Sequence, residues 1–135
     1  VTKYFFQKMT NSIYNKLSDS RKKRQKKFAV LIDPDKTEKS AMKKLVANAV
    51  KSKVDYFFVG GSLVVNDGLE MTLEIINKNS DIPSILFPGS SLQINNKADA
   101  IFFLSLISGR NPELLIGQQV ISAPILKKSK LEMFQ

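Results

Sequence analysis

Four short apolar runs in this chain each break off into small, polar or acidic residues. The first, Phe28-Ala29-Val30-Leu31-Ile32, ends in Asp33-Pro34-Asp35-Lys36. A strand apolar on both faces belongs inside a parallel sheet covered by helices, and such sheets carry their chemistry at the carboxyl ends of the strands. The runs at 56–59, 85–87 and 100–106 are likewise too short for helices and rich in β-branched and aromatic residues. They end alike, in Gly60-Gly61-Ser62, in Pro88-Gly89-Ser90 and in Ser105 with Ser108-Gly109-Arg110-Asn111. In a parallel barrel these breaks share one face and surround one cleft.

Helical patterns separate the runs. Met42, Leu45, Val46, Ala49 and Val50 form one apolar stripe over 41–50, with Thr37 as the predicted amino-terminal cap. Asn66-Asp67 can open a second helix with Leu69, Leu73 and Ile76 inward and Asn79 near its end. The third connection, 90–97, is short and polar and predicts one helical turn or none. Asn111-Pro112-Glu113 is a good opening for a further helix, expected to reach 120 or 121 before Pro124 limits it. Alternating strands and helices imply right-handed βαβ units, which close either as an eightfold barrel or as an open doubly wound sheet. Four units are half of a barrel, whose usual size is about 250 residues.

Composition narrows the chemistry. The chain has 135 residues and neither Cys nor His, so thiolate metal sites, cysteine nucleophiles and imidazole proton shuttles are excluded. Catalysis falls to carboxylates, Lys, Ser, Tyr or a hard metal. No apolar run approaches the roughly 20 residues of a membrane span, and a cytoplasmic location is expected. The net charge of +9 is uneven: residues 1–53 hold 15 basic and 4 acidic residues, the remainder 6 and 8. Its densest part, residues 21–27, reads as a solvated turn between an amphipathic helix (Phe5, Met9, Ile13, Leu17) and the first strand, or as a patch for nucleic acid or anionic membrane. Tyr4, Phe5, Phe6 and Tyr14 are either a stacking platform for bases or core-packing aromatics. The expected division is an amino-terminal helix and basic lead-in over 1–27, then the barrel-forming segment over 28–135.

The rim residues each carry two readings. Asp33 is either a ligand for a hard cation such as Mg²⁺, which takes one or two carboxylates plus substrate phosphates, or a helix cap. Asp35 reads as a cap or exposed turn residue. Lys36 is a phosphate partner or a surface lysine, and Ser62 offers a hydroxyl or a metal contact beside Asp33. Gly60-Gly61 lets a backbone approach a ligand closely, or makes a tight turn. Arg110 is an anion clamp, or serves in capping or a surface ion pair.

Taken together, Leu31-Ile32-Asp33-Pro34-Asp35-Lys36, Val59-Gly60-Gly61-Ser62, Leu86-Phe87-Pro88-Gly89, the stretch 98–105, Gly109-Arg110-Asn111-Pro112, Leu115-Ile116-Gly117 and Ala123-Pro124 resemble the geranylgeranylglyceryl phosphate synthase family over about 28–132. The resemblance implies a modified (β/α)₈ barrel, of which this chain supplies about the first four βα units plus an amino-terminal helix. It implies transfer of a prenyl group from a prenyl diphosphate to the 3-hydroxyl of sn-glycerol 1-phosphate, in ether lipid synthesis. It assigns Mg²⁺ to Asp33 and Ser62, and makes Lys36, Gly60, Gly61, Phe87, Gly89 and Arg110 candidates for substrate binding. Such a reaction needs shelter for an allylic cationic centre, and Phe87, Phe102, Phe103 and Leu106 are candidate walls. Aspartate-rich DDxxD segments, the mark of another prenyltransferase class, are absent.

The resemblance also sets a limit. The family's glycerol-phosphate site and catalytic Glu come from later strands, so the expectation is the amino-terminal half of a longer enzyme, or a truncated chain inactive alone. A homo-oligomer and peripheral membrane contact are further expectations. The readings left beside it are a basic nucleic-acid-binding module and a noncatalytic half-barrel that assembles with a partner.

Overall fold

The computed structural model describes residues 12–61 and 68–134. Five parallel strands form its sheet: β1 (Ala29–Ile32), β2 (Tyr56–Val59), β3 (Ser84–Leu86), β4 (Ala100–Phe102) and β5 (Glu132–Phe134). They lie side by side in chain order, each strand paired with the next. A doubly wound sheet reverses its order at a switch point, whereas a barrel adds every strand on the same side. The order therefore selects the barrel arrangement.

The helices are α1 (Ile13–Lys22), α2 (Lys39–Lys51), α3 (Gly68–Asn79) and α4 (Gln118–Lys128). Strand residues alternate between two layers, as the pleat requires. Ile32, Phe57, Val59, Leu86 and Ile101 join Met42, Val46, Leu73, Ile76 and Leu126 in the layer beneath the helices. Tyr56, Ile85 and Ala100 face the concave side, where Ile13 of α1 is buried against them. Burying side chains of this size contributes about 1.5–3 kcal/mol each.

The predicted stripe on α2 holds at Met42, Val46 and Ala49, but Val50 is exposed. Leu69, Leu73 and Ile76 are buried as expected, and Asn79 ends α3; Asn66 and Asp67 lie outside the described residues. Thr37 does not cap α2. It closes the 3₁₀ turn Pro34–Lys36 in an extended conformation, so Glu38 takes the cap position without a side-chain bond. The third connection is a single 3₁₀ turn, Ser91–Gln93.

Two boundaries differ from expectation. Strand β4 stops at Phe102 rather than 106; β3 ends at Leu86, and Phe103 N–H still donates to the Phe134 carbonyl at 3.0 Å. The last helix opens as foreseen, with Asn111 Oδ1 accepting from Glu113 N–H at 3.0 Å. A π-helical turn, Glu113–Gly117, then leads into α4, which runs through Pro124 to Lys128. Proline removes one helical bond, but Leu126, buried beyond it, anchors the continuing turn.

Candidate active site at the carboxyl ends of the strands

Asp33 leaves β1 in an extended conformation because Pro34 follows it. Its carboxylate caps the 3₁₀ turn: Oδ1 accepts from Asp35 N–H at 3.3 Å, while Oδ2 pairs with Lys36 Nζ at 3.0 Å. The Lys36 ammonium holds the Asp33 carboxyl below its ordinary value, the Asp35 N–H adds to this, and desolvation opposes it. Asp33 is thus an anion at neutral pH. Lys36 is 82% exposed and Asp33 27%, so the pair faces solvent and is easily exchanged.

The next strand end adjoins the first. Gly60 N–H donates to the Ile32 carbonyl at 3.1 Å. A Cβ on Gly60 (φ +152°) would overlap the Phe87 carbonyl oxygen, so glycine is needed for β2 and β3 to meet there. A Cβ on Gly61 would sit 3.2 Å from Asp33 Oδ1. Gly61 thus presents bare backbone to the carboxylate. Ser62 lies outside the described residues.

Buried Gln93 ties the second strand end to the third. Its Nε2 donates to the Gly61 carbonyl at 2.9 Å, and its Oε1 accepts from Gly89 N–H at 3.1 Å. The Gly89 N–H is therefore engaged within the chain. Gln119 Nε2 donates to the Leu104 carbonyl and to Ser105 Oγ, and Gln118 Oε1 accepts from Ser91 N–H at 3.2 Å. Sequence reading missed all three glutamines. No periodicity distinguishes a glutamine that bonds loops from one that faces water.

An aromatic row lines the concave face below this rim. Phe58 contacts Phe87 at 6.4 Å and Phe102 at 5.1 Å between ring centroids; Phe102 contacts Phe87 at 5.7 Å and Phe134 at 5.0 Å. Phe87 and Phe102 are among the expected walls, whereas Phe58 is expected only as a strand residue and Phe134 carries no sequence expectation. Phe103 packs instead with the layer beneath the helices, because alternation turns it away. Leu106 is exposed on the loop after β4. Arg110 is exposed on the same loop, and β4 lies three strands from β1, roughly 14 Å at ordinary strand spacing. The Asp33 carboxylate bonds to Asp35 and Lys36 rather than to Arg110.

Residues 21–27 precede β1 and therefore lie at the opposite end of the sheet from Asp33, about 13 Å away along a four-residue strand. The basic run is no part of this site. Tyr14 is exposed on α1; Tyr4, Phe5, Phe6 and Met9 lie outside the described residues. Among the described residues no helix is long and apolar enough to cross a membrane. The described residues also hold no cluster of three or more acidic side chains that would cage a metal.

Residues 20–134 match the model of the PcrB family. The geranylgeranylglyceryl phosphate synthase of Chitinophaga pinensis is 52% identical over 125 residues, which are 93% of this chain and 50% of that protein. The enzyme of the same name from Methanobrevibacter smithii is 35% identical over 111 residues, 82% of this chain and 44% of that protein. Among solved structures, (S)-3-O-geranylgeranylglyceryl phosphate synthase from Thermoplasma acidophilum, in complex with its substrate sn-glycerol-1-phosphate, superposes with a TM-score of 0.77 at 35% identity, covering 85% of this chain and 47% of that one. The chain spans about half the length of the curated relatives it matches.

Proposed function

The chain belongs to the PcrB family, and from that premise we propose that it forms the diphosphate-binding half of a prenyltransferase moving a geranylgeranyl or similar group onto the 3-hydroxyl of sn-glycerol 1-phosphate. The observation that carries this reading is the pairing, on one concave rim, of the ionised Asp33 with a wall of phenylalanines. A prenyl diphosphate has that dual character. Its diphosphate needs cationic neutralisation, and its allylic carbon needs a dry, weakly nucleophilic enclosure.

Asp33 suits magnesium, which is held by one or two carboxylates and substrate phosphates rather than by a cage. The bare backbone of Gly61 leaves the side of Asp33 Oδ1 open, and Ser62 follows directly in sequence. When bound, the ion would neutralise charge on the departing diphosphate. Lys36, displaced from Asp33, would remain on the rim as a second cation. Phe58, Phe87 and Phe102 would exclude water from the reacting carbon, and their π faces would favour its developing positive charge. The reaction asks no nucleophilic side chain of this half.

A chimera tests the reading. Residues 28–134 replace the matching segment of the Chitinophaga pinensis enzyme, and radiolabelled geranylgeranyl diphosphate is followed into solvent-extractable product with sn-glycerol 1-phosphate as acceptor. The chimera is expected to turn over, and Asp33→Asn within it to lose about a hundredfold or more of the rate. A folded but inactive chimera, or one indifferent to Asp33→Asn, overturns the reading.

A further inference from the structure

Gln93 is a polar side chain only 3% exposed, placed on the 3₁₀ turn that stands where the third connection has no longer helix. Its amide reaches in two directions, giving a proton to the Gly61 carbonyl and receiving one from Gly89 N–H. The two groups belong to different strand ends. Gly60, between them, is already pressed against the Phe87 carbonyl, so β2 and β3 are fixed in depth at the rim. Gly61 then lies against Asp33 Oδ1, which in turn accepts from Asp35 N–H. Neighbouring groups thus lead from Gln93 through Gly61, whose added Cβ would sit 3.2 Å from Oδ1, to the Asp33 carboxylate.

We propose that Gln93 is a positioning residue for the diphosphate site: its amide sets the Gly61 backbone against Asp33 and so fixes the carboxylate's outward aim. The assignment rests on the proposed function for its purpose and on the hydrogen bonds for its geometry. Only a group that both donates and accepts, at glutamine's length, serves both partners. An apolar residue of the same shape takes from the Gly61 carbonyl and the Gly89 N–H the partner that buried Gln93 gives them. Asn, one methylene shorter, does not span the gap.

The test uses the ¹⁵N-labelled chain with Gln93→Met, and Val46→Ala as a core substitution far from the rim that costs comparable stability. In Gln93→Met, the Gly89 amide is expected to exchange with solvent about tenfold faster or more, and the Asp35 amide resonance to move. Affinity for Mn²⁺, followed by its electron paramagnetic signal, should weaken about tenfold. Val46→Ala should change none of these selectively. Gln93→Glu guards against a misfolded Met variant: it keeps the acceptor for Gly89 and loses the donor to Gly61, so Gly89 stays protected while Asp35 still shifts. An unmoved Asp35 resonance with unchanged Gly89 exchange, or equal effects in Val46→Ala, overturns the assignment. Failure of the function reading looks different, because Asp33→Asn would then bind Mn²⁺ like the parent chain while the exchange results continue to decide the role of Gln93.

Discussion

The two ends of the sheet use carboxylates in opposite ways. At the amino ends, three acids are each committed to the backbone of another element. Asp55 accepts from Phe28 N–H at 2.9 Å ahead of β1, Asp99 accepts from Ser84 N–H at 2.8 Å, and Glu132 accepts from Ile13 and Tyr14 N–H at 2.8 and 2.9 Å. At the carboxyl ends, the bonds of the Asp33 carboxylate among the described residues go to Asp35 and Lys36, its neighbours in sequence. An acid bonded across elements adds stability and has little left to offer a ligand. An acid bonded within its own turn can exchange partners without disturbing the fold, which is the division of labour a barrel imposes on its two faces.

The comparison is broken most severely through the backbone. Gly60→Ala drives a Cβ into the Phe87 carbonyl at a φ that other residues rarely adopt, and should cost about 3 kcal/mol in urea denaturation. The effect would show that the carboxyl end is rigid through its main chain, although the Asp33 side chain is exchangeable. Glu132→Ala comes next. Four N–H groups open α1: Ile13 and Tyr14 donate to Glu132, Asn15 to Ser12 Oγ, and Lys16 to the Ser12 carbonyl. Removing the carboxylate strands two of them, for an expected loss of about 1–2 kcal/mol and early loss of helical circular dichroism on heating. A loss smaller than that of any exposed alanine substitution would deny the amino end its cross-element role.

Much of this contrast was legible in the chain and some was not. Strands β1 and β2 announce themselves as continuous apolar runs, although only β2 is covered on both faces and Leu31 of β1 is exposed; Asp33 stands out because an acid follows such a run at once. β5 escaped notice since Glu132, Met133 and Phe134 show no pattern apart from their pairing with β4. The passage of α4 through Pro124 was hidden for a similar reason: a local rule against proline yields to the burial of Leu126, a tertiary fact. Gln93 was invisible because its two partners lie 32 and 4 residues away and both are main-chain groups. Sequence patterns report burial well and polar partnership poorly.

A pH titration sharpens the comparison with a smaller effect. The Lys27 ammonium and the Phe28 N–H hold Asp55 below its ordinary value of 3.8, and Asp55 raises Lys27 above 10.5. The unfolded chain therefore takes up the proton on Asp55 first as pH falls, and releases that of Lys27 first as pH rises. The pair's contribution is complete between about pH 4 and 10, lost on the acid side as pH drops through the lowered value and on the alkaline side beyond 10.5. Burial also raises Tyr56, so alkaline ionisation there weakens the same end. Asp55→Asn should flatten the acid limb while costing a few tenths to about 1 kcal/mol at neutral pH.

The smallest expected effect on stability belongs to the most exchangeable acid. Asp33 is also depressed, by Lys36, and any stability this gives is present above the ordinary carboxylate value and lost as pH falls through the lowered one. Yet the partner is a largely exposed lysine three residues away, so the attraction is screened by water and salt. Asp33→Asn keeps an oxygen to accept from Asp35 N–H and should leave the urea midpoint where it was at neutral pH, at low and high salt alike. Asp99→Asn provides the contrast, since Asp99 Oδ2 also accepts from the Ser84 hydroxyl at 3.2 Å and serves a fully buried residue. If Asp33→Asn lowered the midpoint as much as Asp99→Asn did, the carboxylate at the rim would be a structural fastener like those below it, and the separation of the two ends would be lost.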